Sequence, residues 1–393
     1  MSSSSQSGQQ RWNAVVEVMR RRFHGADVQA ARVVYASVAA HRLEGQPVWP
    51  MAVAPPGSLK TEILDALHGL PHVHFIDSVT PNTFISGQIV EGGEGRSPSL
   101  LDRVGGSATI AIADFSTVLS MNRDKRGSIL ADMRRIFDGR LRKEYGTAEP
   151  PRDWAGRITF VVAATPDVDQ HYAIFQTLGE RFLMVRWHRP GGVEAAMKAM
   201  NQNVKAAKAE MKGAVHALFN GLPEELAEVT LEVDDQYRLA ALAEFTVRAR
   251  TQVPRDGSKD IVYVPEAEAP TRLAQQLCQL AKGSALLVGR PAVGPEDLDL
   301  VQRVAFDCIP DKRRQVVDHA TQTENGLEPA ELTVPESSLW YCRQDLEAMD
   351  LLSGQGLSGL AKKLLAQAGV IHQTSPPIEV EKGEELVSLG QGG

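Results

Sequence analysis

Cysteine is scarce in this chain of 393 residues. Cys278, Cys308 and Cys342 are too few and too widely spaced for a disulfide framework or a cysteine zinc site, and they read as ordinary thiols of a reducing compartment. An excess of positive charge is also missing. The formal net charge of -7 excludes a uniformly basic nucleic-acid binder and leaves any such contact to local patches. No apolar run reaches membrane-spanning length, and the opening MSSSSQSGQQ lacks the basic-then-apolar pattern of an export signal. The expected location is therefore the cytoplasm, with no membrane partner. No internal repeat is visible. What remains is ordinary globular composition, 43% hydrophobic and 23% charged, in a chain long enough to bury a large core.

The polar stretch 1–10 predicts a disordered tail. Over 11–44, Trp12, Val15, Val16, Val18 and Met19, then Val28, Ala31, Val34 and Val38, predict two helices broken at HGADVQ. Over 45–190, PVWPMAVA, HVHFIDS, ATIAIAD and RITFVVAATPD read as strands, and LMVRWH is strand-like. Between them, APPGSLKTEILDALHGL reads as a turn into a helix, and MNRDKRGSILADMRRIFDGRLRKEYGT as a charged helix leading into a hairpin. This alternation predicts a three-layer α/β domain around a largely parallel sheet. The next part, 191–310, reads as helical, with EAAMKAMNQNVKAAKAEMKGAVHALFNGL as one long helix and APTRLAQQLCQLAKGSALLVG and PEDLDLVQRVAFDCI as two more. Residues 311–375 predict helix, short helix, helix and a possible strand at VIHQT, and 376–393 a disordered tail.

Five segments carry chemistry. Ala54-Pro-Pro-Gly-Ser-Leu-Lys-Thr61 follows a strand and opens a helix. In that context backbone N–H groups surround phosphates, Lys60 reaches the terminal oxygens, Thr61 holds Mg²⁺, and Gly57 supplies turn freedom. Leu59 stands where such loops place glycine. An ordinary Pro-Gly turn capping a helix gives the same residues. Ile110-Ala-Ile-Ala-Asp114 is an apolar strand ending in an acid, where an aspartate sits beside Mg²⁺ in P-loop enzymes or simply ends a strand. The residue after it is Phe115, not glutamate. Thr165, at the tip of Phe160-Val-Val-Ala-Ala-Thr165-Pro-Asp, suits a group sensing the γ-phosphate, with Asp167 as the weaker choice and a Thr-Pro turn as the plain alternative. Arg181, in Leu178-Gly-Glu-Arg-Phe182, suits an arginine acting on a neighbour's nucleotide or a surface pair with Glu180 or another acid. Arg272 opens a helix at Pro270-Thr-Arg272-Leu, where an arginine can swing onto a bound nucleotide, near a basic cluster of Arg248, Arg250 and Arg255; a solvated helix start is the simpler explanation for each taken singly.

Taken in this order, over roughly 45–320, the segments resemble an AAA+ ATPase of the broad group containing the minichromosome-maintenance helicases and MoxR-type ATPases. The chain is more similar still to the MCM-like helicase or ATPase proteins of phages and mobile elements. The resemblance is carried by PVWPMAVAPPGSLKTEIL, SVTPNTFISG, ADFSTVLSMNRDKRGSILADMRRIFDGRLRKEYGT, ATPDVDQHYAIFQTLGERFL and EAPTRLAQQL. It implies a P-loop core, an α-helical lid and a C-terminal winged-helix-like domain. It implies ATP and Mg²⁺ as ligands, with Pro56, Gly57, Ser58, Leu59, Lys60, Thr61 and Glu62 as the nucleotide-binding set and Thr61 and Asp114 at the metal. Thr165 becomes the first sensor, Arg181 a finger acting in trans and Arg272 the second sensor.

The resemblance further implies a homo-oligomer, a hexameric ring, acting as a motor on DNA. A hairpin before the first-sensor strand lines the pore in such proteins, here with Arg140, Arg142, Lys143 and Arg157 around a Tyr145-Gly turn. A solvated basic loop has the same composition. In the tail, Ser337–Met349 is the candidate recognition helix, with Leu339, Cys342, Leu346 and Met349 inward and Arg343 and Gln344 exposed toward DNA or a protein partner. Leu59 and Phe115 depart from the general AAA+ pattern. They leave open a MoxR-like protein-remodelling ATPase, an ATP-gated switch with weak hydrolysis, or a degenerate site, and they raise the question of whether Glu180 or Asp124 compensates.

Overall fold

The computed structural model describes residues 7–86, 98–144, 151–171, 180–188, 191–224 and 228–372. Helix α1 (Gly8–Arg22) starts earlier than its composition suggests. The Ser7 hydroxyl accepts from the Gln10 N–H while the Gln10 side chain accepts from the Ser7 N–H. This capping box makes residues 8–10 helical, which corrects that part of the tail expected over 1–10; residues 1–6 lie outside the described residues. Helix α2 (Val28–Ala40) follows, capped by Asp27.

The next elements are β1 (Trp49–Val53), α3 (Lys60–Asp65), β2 (Val73–Ile76), α4 (Leu100–Val104), β3 (Ser107–Ile112), α5 (Ser116–Leu119) and α6 (Arg123–Phe137). A hairpin of β4 (Arg140–Lys143) and β5 (Arg152–Ala155) leads to β6 (Arg157–Ala164), a 3-10 turn (Pro166–His171) and β7 (Phe182–Arg186). Among the described residues, five parallel strands form one sheet in the order β2-β3-β6-β1-β7.

Side chains of successive strand residues point to opposite faces, and β6 uses both. Phe160 packs edge-on against Trp49, which also meets Phe137 at the end of α6. Its neighbour Thr159 pairs instead with His41, just beyond α2. Helices α2 and α6 therefore cover opposite faces, giving the three layers read from the strand–helix alternation. Trp49 also donates from its indole to the Ile158 carbonyl at 2.7 Å, which satisfies its one polar atom in the core.

Beyond the sheet come α7 (Gly192–Met200), α8 (Val204–Asn220), α9 (Val233–Arg250), α10 (Thr271–Leu287), α11 (Pro295–Asp307), α12 (Asp311–Glu324), α13 (Glu336–Ala348), the small hairpin of β8 (Leu352–Ser353) and β9 (Gly356–Leu357), and α14 (Gly359–Gln367). The long helix expected from Glu194 to Leu222 is two helices, because Asn203 caps a fresh start by accepting from the Ala206 N–H. Helix α9 has no counterpart in the periodicity: Leu239, Leu242, Phe245, Val247 and Arg250 are all buried, so no single apolar stripe marks it. Val370–His372 form no strand where VIHQT suggested one; the last two residues of that segment lie outside the described residues.

The helices expected as a separate lid share the core of the sheet domain. One hydrophobic cluster runs from α1 and α2 through the strands into α10, α11 and α14. Helix α10 lies across α2 at Gly283. A Cβ there would come within 2.3 Å of the Ala36 carbonyl oxygen and 2.6 Å of the Ala40 Cβ. Gly283→Ala should therefore lower stability by about 1–3 kcal/mol despite alanine's better helix propensity. Urea denaturation checks this: an unchanged or raised midpoint means that the two helices are not in contact at that point.

Candidate functional site

The loop after β1 turns through two left-handed residues before α3 begins. Gly57 has φ 76°, which glycine adopts freely. Leu59, the N-cap of α3, has φ 64° and ψ 8°. An L-residue with a side chain there costs about 1–2 kcal/mol, so the position imposes the backbone that glycine serves best while holding leucine instead. The leucine side chain packs partly against the core and lines the cavity above it. Among the described residues the N–H groups of Gly57, Leu59, Lys60, Thr61 and Glu62 have no backbone acceptor. Lys60 folds back onto the loop, donating to the Ala54 carbonyl at 2.9 Å and the Pro55 carbonyl at 3.4 Å. Burial holds this ammonium below its ordinary pKa, and the charges of Asp114 and Glu62 offset that only in part.

Three neighbouring strand tips are tied together at this loop. Ala54 N–H donates to the Ala164 carbonyl at 3.1 Å, and Phe115 N–H to the Ala163 carbonyl at 2.7 Å. The resulting cavity, about 340 Å³, is lined by Pro56–Glu62, Ala113, Asp114, Ala164 and Thr165. It brings together Lys60, Thr61, Asp114 and Thr165, all read from sequence. Asp114 accepts from the Ser116 N–H at 3.0 Å, an Asx turn that opens α5. Ser116 in turn accepts from the Thr165 N–H at 3.0 Å, and the Thr165 hydroxyl donates to Asp167 at 3.2 Å. Ser116 was not expected at the site, although the Asp-x-Ser spacing of an Asx turn was legible. Phe115 points away, 0% exposed and packed on Phe182. A core aromatic occupies the place expected for glutamate.

A second cavity of about 410 Å³ adjoins the first through Pro56–Leu59 and Glu62. Its far walls are Phe23 and His24 after α1, and Ala196, Ala199 and Gln202 of α7 and its C-terminal end.

An ion-pair network braces the strand tips from behind. Arg186, ending β7, makes a two-pronged pair with Asp169 of the 3-10 turn at 2.7 and 2.8 Å. Its backbone N–H donates to buried Asp307 at 2.9 Å. Arg303 joins the Arg186 carbonyl to Asp27, the cap of α2. Burial alone would raise the Asp27 pKa, but the bonds and charge of Arg303 and the Ala30 N–H outweigh it and hold the carboxyl well below its usual range. Its contribution is thus complete above the unfolded value near ~3.9 and fades as pH falls toward the lower folded value. Asp27→Asn should cost about 2 kcal/mol near neutral pH, and the gap in urea midpoint between the two chains should close on acidification below about pH 4. A gap that widens with acid would contradict the pairing.

The two arginines expected around a nucleotide lie elsewhere. Trp49 pairs with Phe182 in the parallel register, so Arg181 sits at the end of the sheet where β1 begins, opposite the Lys60 loop. It is 8% exposed, pairs with Asp138 at 3.2 Å and lies over the Phe137 ring. Arg272 is its neighbour: the nearby Arg272 charge lowers the Arg181 pKa after burial does, and Gln276, one turn further along α10, donates to the Arg181 carbonyl at 2.7 Å. Arg272 therefore does not reach the cavity of its own chain, which corrects the second-sensor expectation in cis. Glu180 pairs with buried Arg250 at 2.5 Å, and Asp124 opens α6. Neither lines the cavity.

The basic residues divide. Arg140 and Arg142 stand exposed on β4, paired with Asp153 and Glu144. Lys143 is bound at 2.5 Å to Asp132 and donates to the Pro81 carbonyl at 3.0 Å. Arg157 donates to the carbonyls of Ala40, His41, Leu43 and Gln46, closing the end of α2. Its guanidinium is committed to the fold, which corrects the pore-facing expectation. The Tyr145 turn lies outside the described residues. Arg248 pairs with Glu244, and Arg255 with Asp345, so the expected basic cluster is neutralised. On α13, Cys342, Leu346 and Met349 are buried as read, and Arg343 is half-buried. Gln344 accepts from Arg255 at 3.1 Å instead of standing free. Glu336, Ser337, Trp340 and Glu347 form the exposed positions of that helix.

Among the described residues no helix is long and apolar enough to cross a membrane, and no cluster of metal-binding side chains is assembled by the protein alone. No family model and no curated protein matches the chain.

Proposed function

We propose that this chain binds Mg²⁺–ATP at the junction of the β1, β3 and β6 tips and hydrolyses it, as an AAA+-type ATPase working as a ring-forming oligomer. The carrying observation is the convergence of unpaired loop N–H groups, the Lys60 ammonium, the Thr61 hydroxyl and the Asp114 carboxylate around one cavity. The donor set fits the ligand. Backbone N–H groups and a partly desolvated ammonium favour a polyanion, and a hydroxyl with a carboxylate suits a hard cation. Thr61 and Asp114 would hold the metal, which neutralises phosphate charge when bound. Gly57–Lys60 hold the phosphates, Glu62 borders them, and the cavity walled by Phe23, His24 and α7 takes the base. Lys60→Ala should weaken Mg²⁺–ATP binding at least about 100-fold in calorimetry. Unchanged affinity would remove the reading.

Leu59 makes this a costly loop. Leu59→Gly relieves the left-handed strain that the chain carries without ligand, so folding stability should rise by about 1 kcal/mol. Urea denaturation measures it; a lowered midpoint would mean that the packing lost with the leucine side chain outweighs the strain.

Arg181 and Arg272, side by side at the far end of the sheet, support a role toward a neighbouring subunit's nucleotide, with both acting in trans. The exposed Arg140 and Arg142 on the β4–β5 hairpin support DNA as the polymer such a ring acts on. A protein partner is the second reading, favoured by the acidic exposed positions of α13, which repel phosphate. Stimulation of hydrolysis by single- or double-stranded DNA, lost in Arg140→Ala/Arg142→Ala, supports the first; indifference to both supports the second.

A further inference from the structure

The glutamate that would activate water after Asp114 is absent, and its position is filled by a phenylalanine sealed in the core. A hydrolytic site needs another carboxylate beside the phosphate-facing wall. Glu180 lies at the opposite end of the sheet within a buried pair, and Asp124, in the first turn of α6, makes no side-chain hydrogen bond to a residue of the cavity lining among the described residues. Glu62 lines both cavities from the first turn of α3, where its charge is set against the Lys60 ammonium. A further acid is held at the end of β6 by a residue of the lining. Asp167, three residues beyond the last residue of β6, is exposed and lies outside the lining itself, but takes a hydrogen bond from the Thr165 hydroxyl that lines the cavity.

Its setting is braced. Gln170 donates to the second Asp167 oxygen at 3.2 Å, and the same 3-10 turn is anchored by the two-pronged Asp169–Arg186 pair. A continuous hydrogen-bonded path runs Asp114–Ser116–Thr165–Asp167 along the tips of β3 and β6. It begins at the acid that would hold the metal and ends at an acid with a solvent-facing carboxylate.

We propose that Asp167 is the general base of this site, taking over the task usually given to a glutamate after the strand-ending aspartate. The proposal rests on the ATPase reading above. The water oxygen forms a bond to the γ-phosphorus as the bond from that phosphorus to the β-bridging oxygen breaks. The electron pair leaves on ADP, the water proton passes to the Asp167 carboxylate, and from there it is lost to solvent. Thr165 holds the carboxylate in place and is a positioning residue.

The test uses the full chain, its Asp167→Asn variant, and Thr165→Val. Asparagine still accepts the Thr165 hydrogen bond but is not a base. Mg²⁺–ATP affinity is measured by calorimetry, thermal unfolding confirms folding, and single-turnover hydrolysis gives the rate. The expected result is affinity within about threefold of the parent and a rate lowered about 10²–10⁴-fold for Asp167→Asn, with a smaller loss for Thr165→Val. Hydrolysis within about threefold of the parent overturns the proposal, as does a loss of binding that matches the loss of rate. A parent chain that binds Mg²⁺–ATP without hydrolysing it overturns the role of Asp167 and leaves the binding site standing. A parent that binds no nucleotide removes both.

Discussion

Parallel pairing of β1 with β6, and of β6 with β3, constrains everything that surrounds the cavity. Because the three strands run the same way in register, their C-terminal tips emerge side by side, and the Ala54–Ala164 and Phe115–Ala163 backbone bonds lock the spacing of the loops that follow. Ligands of open α/β sheets gather at this edge because the loops there diverge and leave a crevice. Here the crevice receives the Lys60 ammonium, the Thr61 and Thr165 hydroxyls and the Asp114 carboxylate from segments far apart in sequence. The network of Asp27, Arg303, Arg186, Asp169 and Asp307 then fastens the outer strand and the turn after β6 to the helices behind them.

The same register explains the division of the arginines. A residue before β7 must lie at the opposite end of the sheet from a residue after β1. With β1 spanning Trp49–Val53, the separation along the strand is already about 13 Å before either loop is added. Arg181 and Arg272 are thus kept away from the cavity of their own chain, and the role proposed for them toward nucleotide requires a second copy. Asp138 and the Phe137 ring hold Arg181 in place meanwhile, so exchanging that pair for a neighbour's phosphates carries a desolvation and pairing cost.

Much of the site was legible because its chemistry is local. Gly57, Lys60 and Thr61 sit in one loop, and Asp114 and Thr165 each end an apolar strand whose length and alternation are plain in the sequence. The strands and the three layers were legible for the same reason. What the sequence hides is where a long side chain goes. Arg157 reads as a basic loop residue, yet four carbonyls at the end of α2 claim it. Gln344 reads as surface, yet Arg255 from a distant loop holds it. The left-handed turn at Leu59 was hidden too, since leucine carries no signal for positive φ. Helix α9 escaped because burial on several faces erases periodicity.

The central claim is that the backbone N–H groups from Gly57 to Glu62, together with the Lys60 ammonium, grip a triphosphate. Hydrogen–deuterium exchange of the peptide covering 54–63, with and without saturating Mg²⁺–ATP, tests it most directly. The account predicts slowed exchange concentrated in that peptide, with a smaller effect at the tips after β3 and β6. Exchange there that is unchanged while Mg²⁺–ATP binds, with protection confined to another part of the chain, would contradict it.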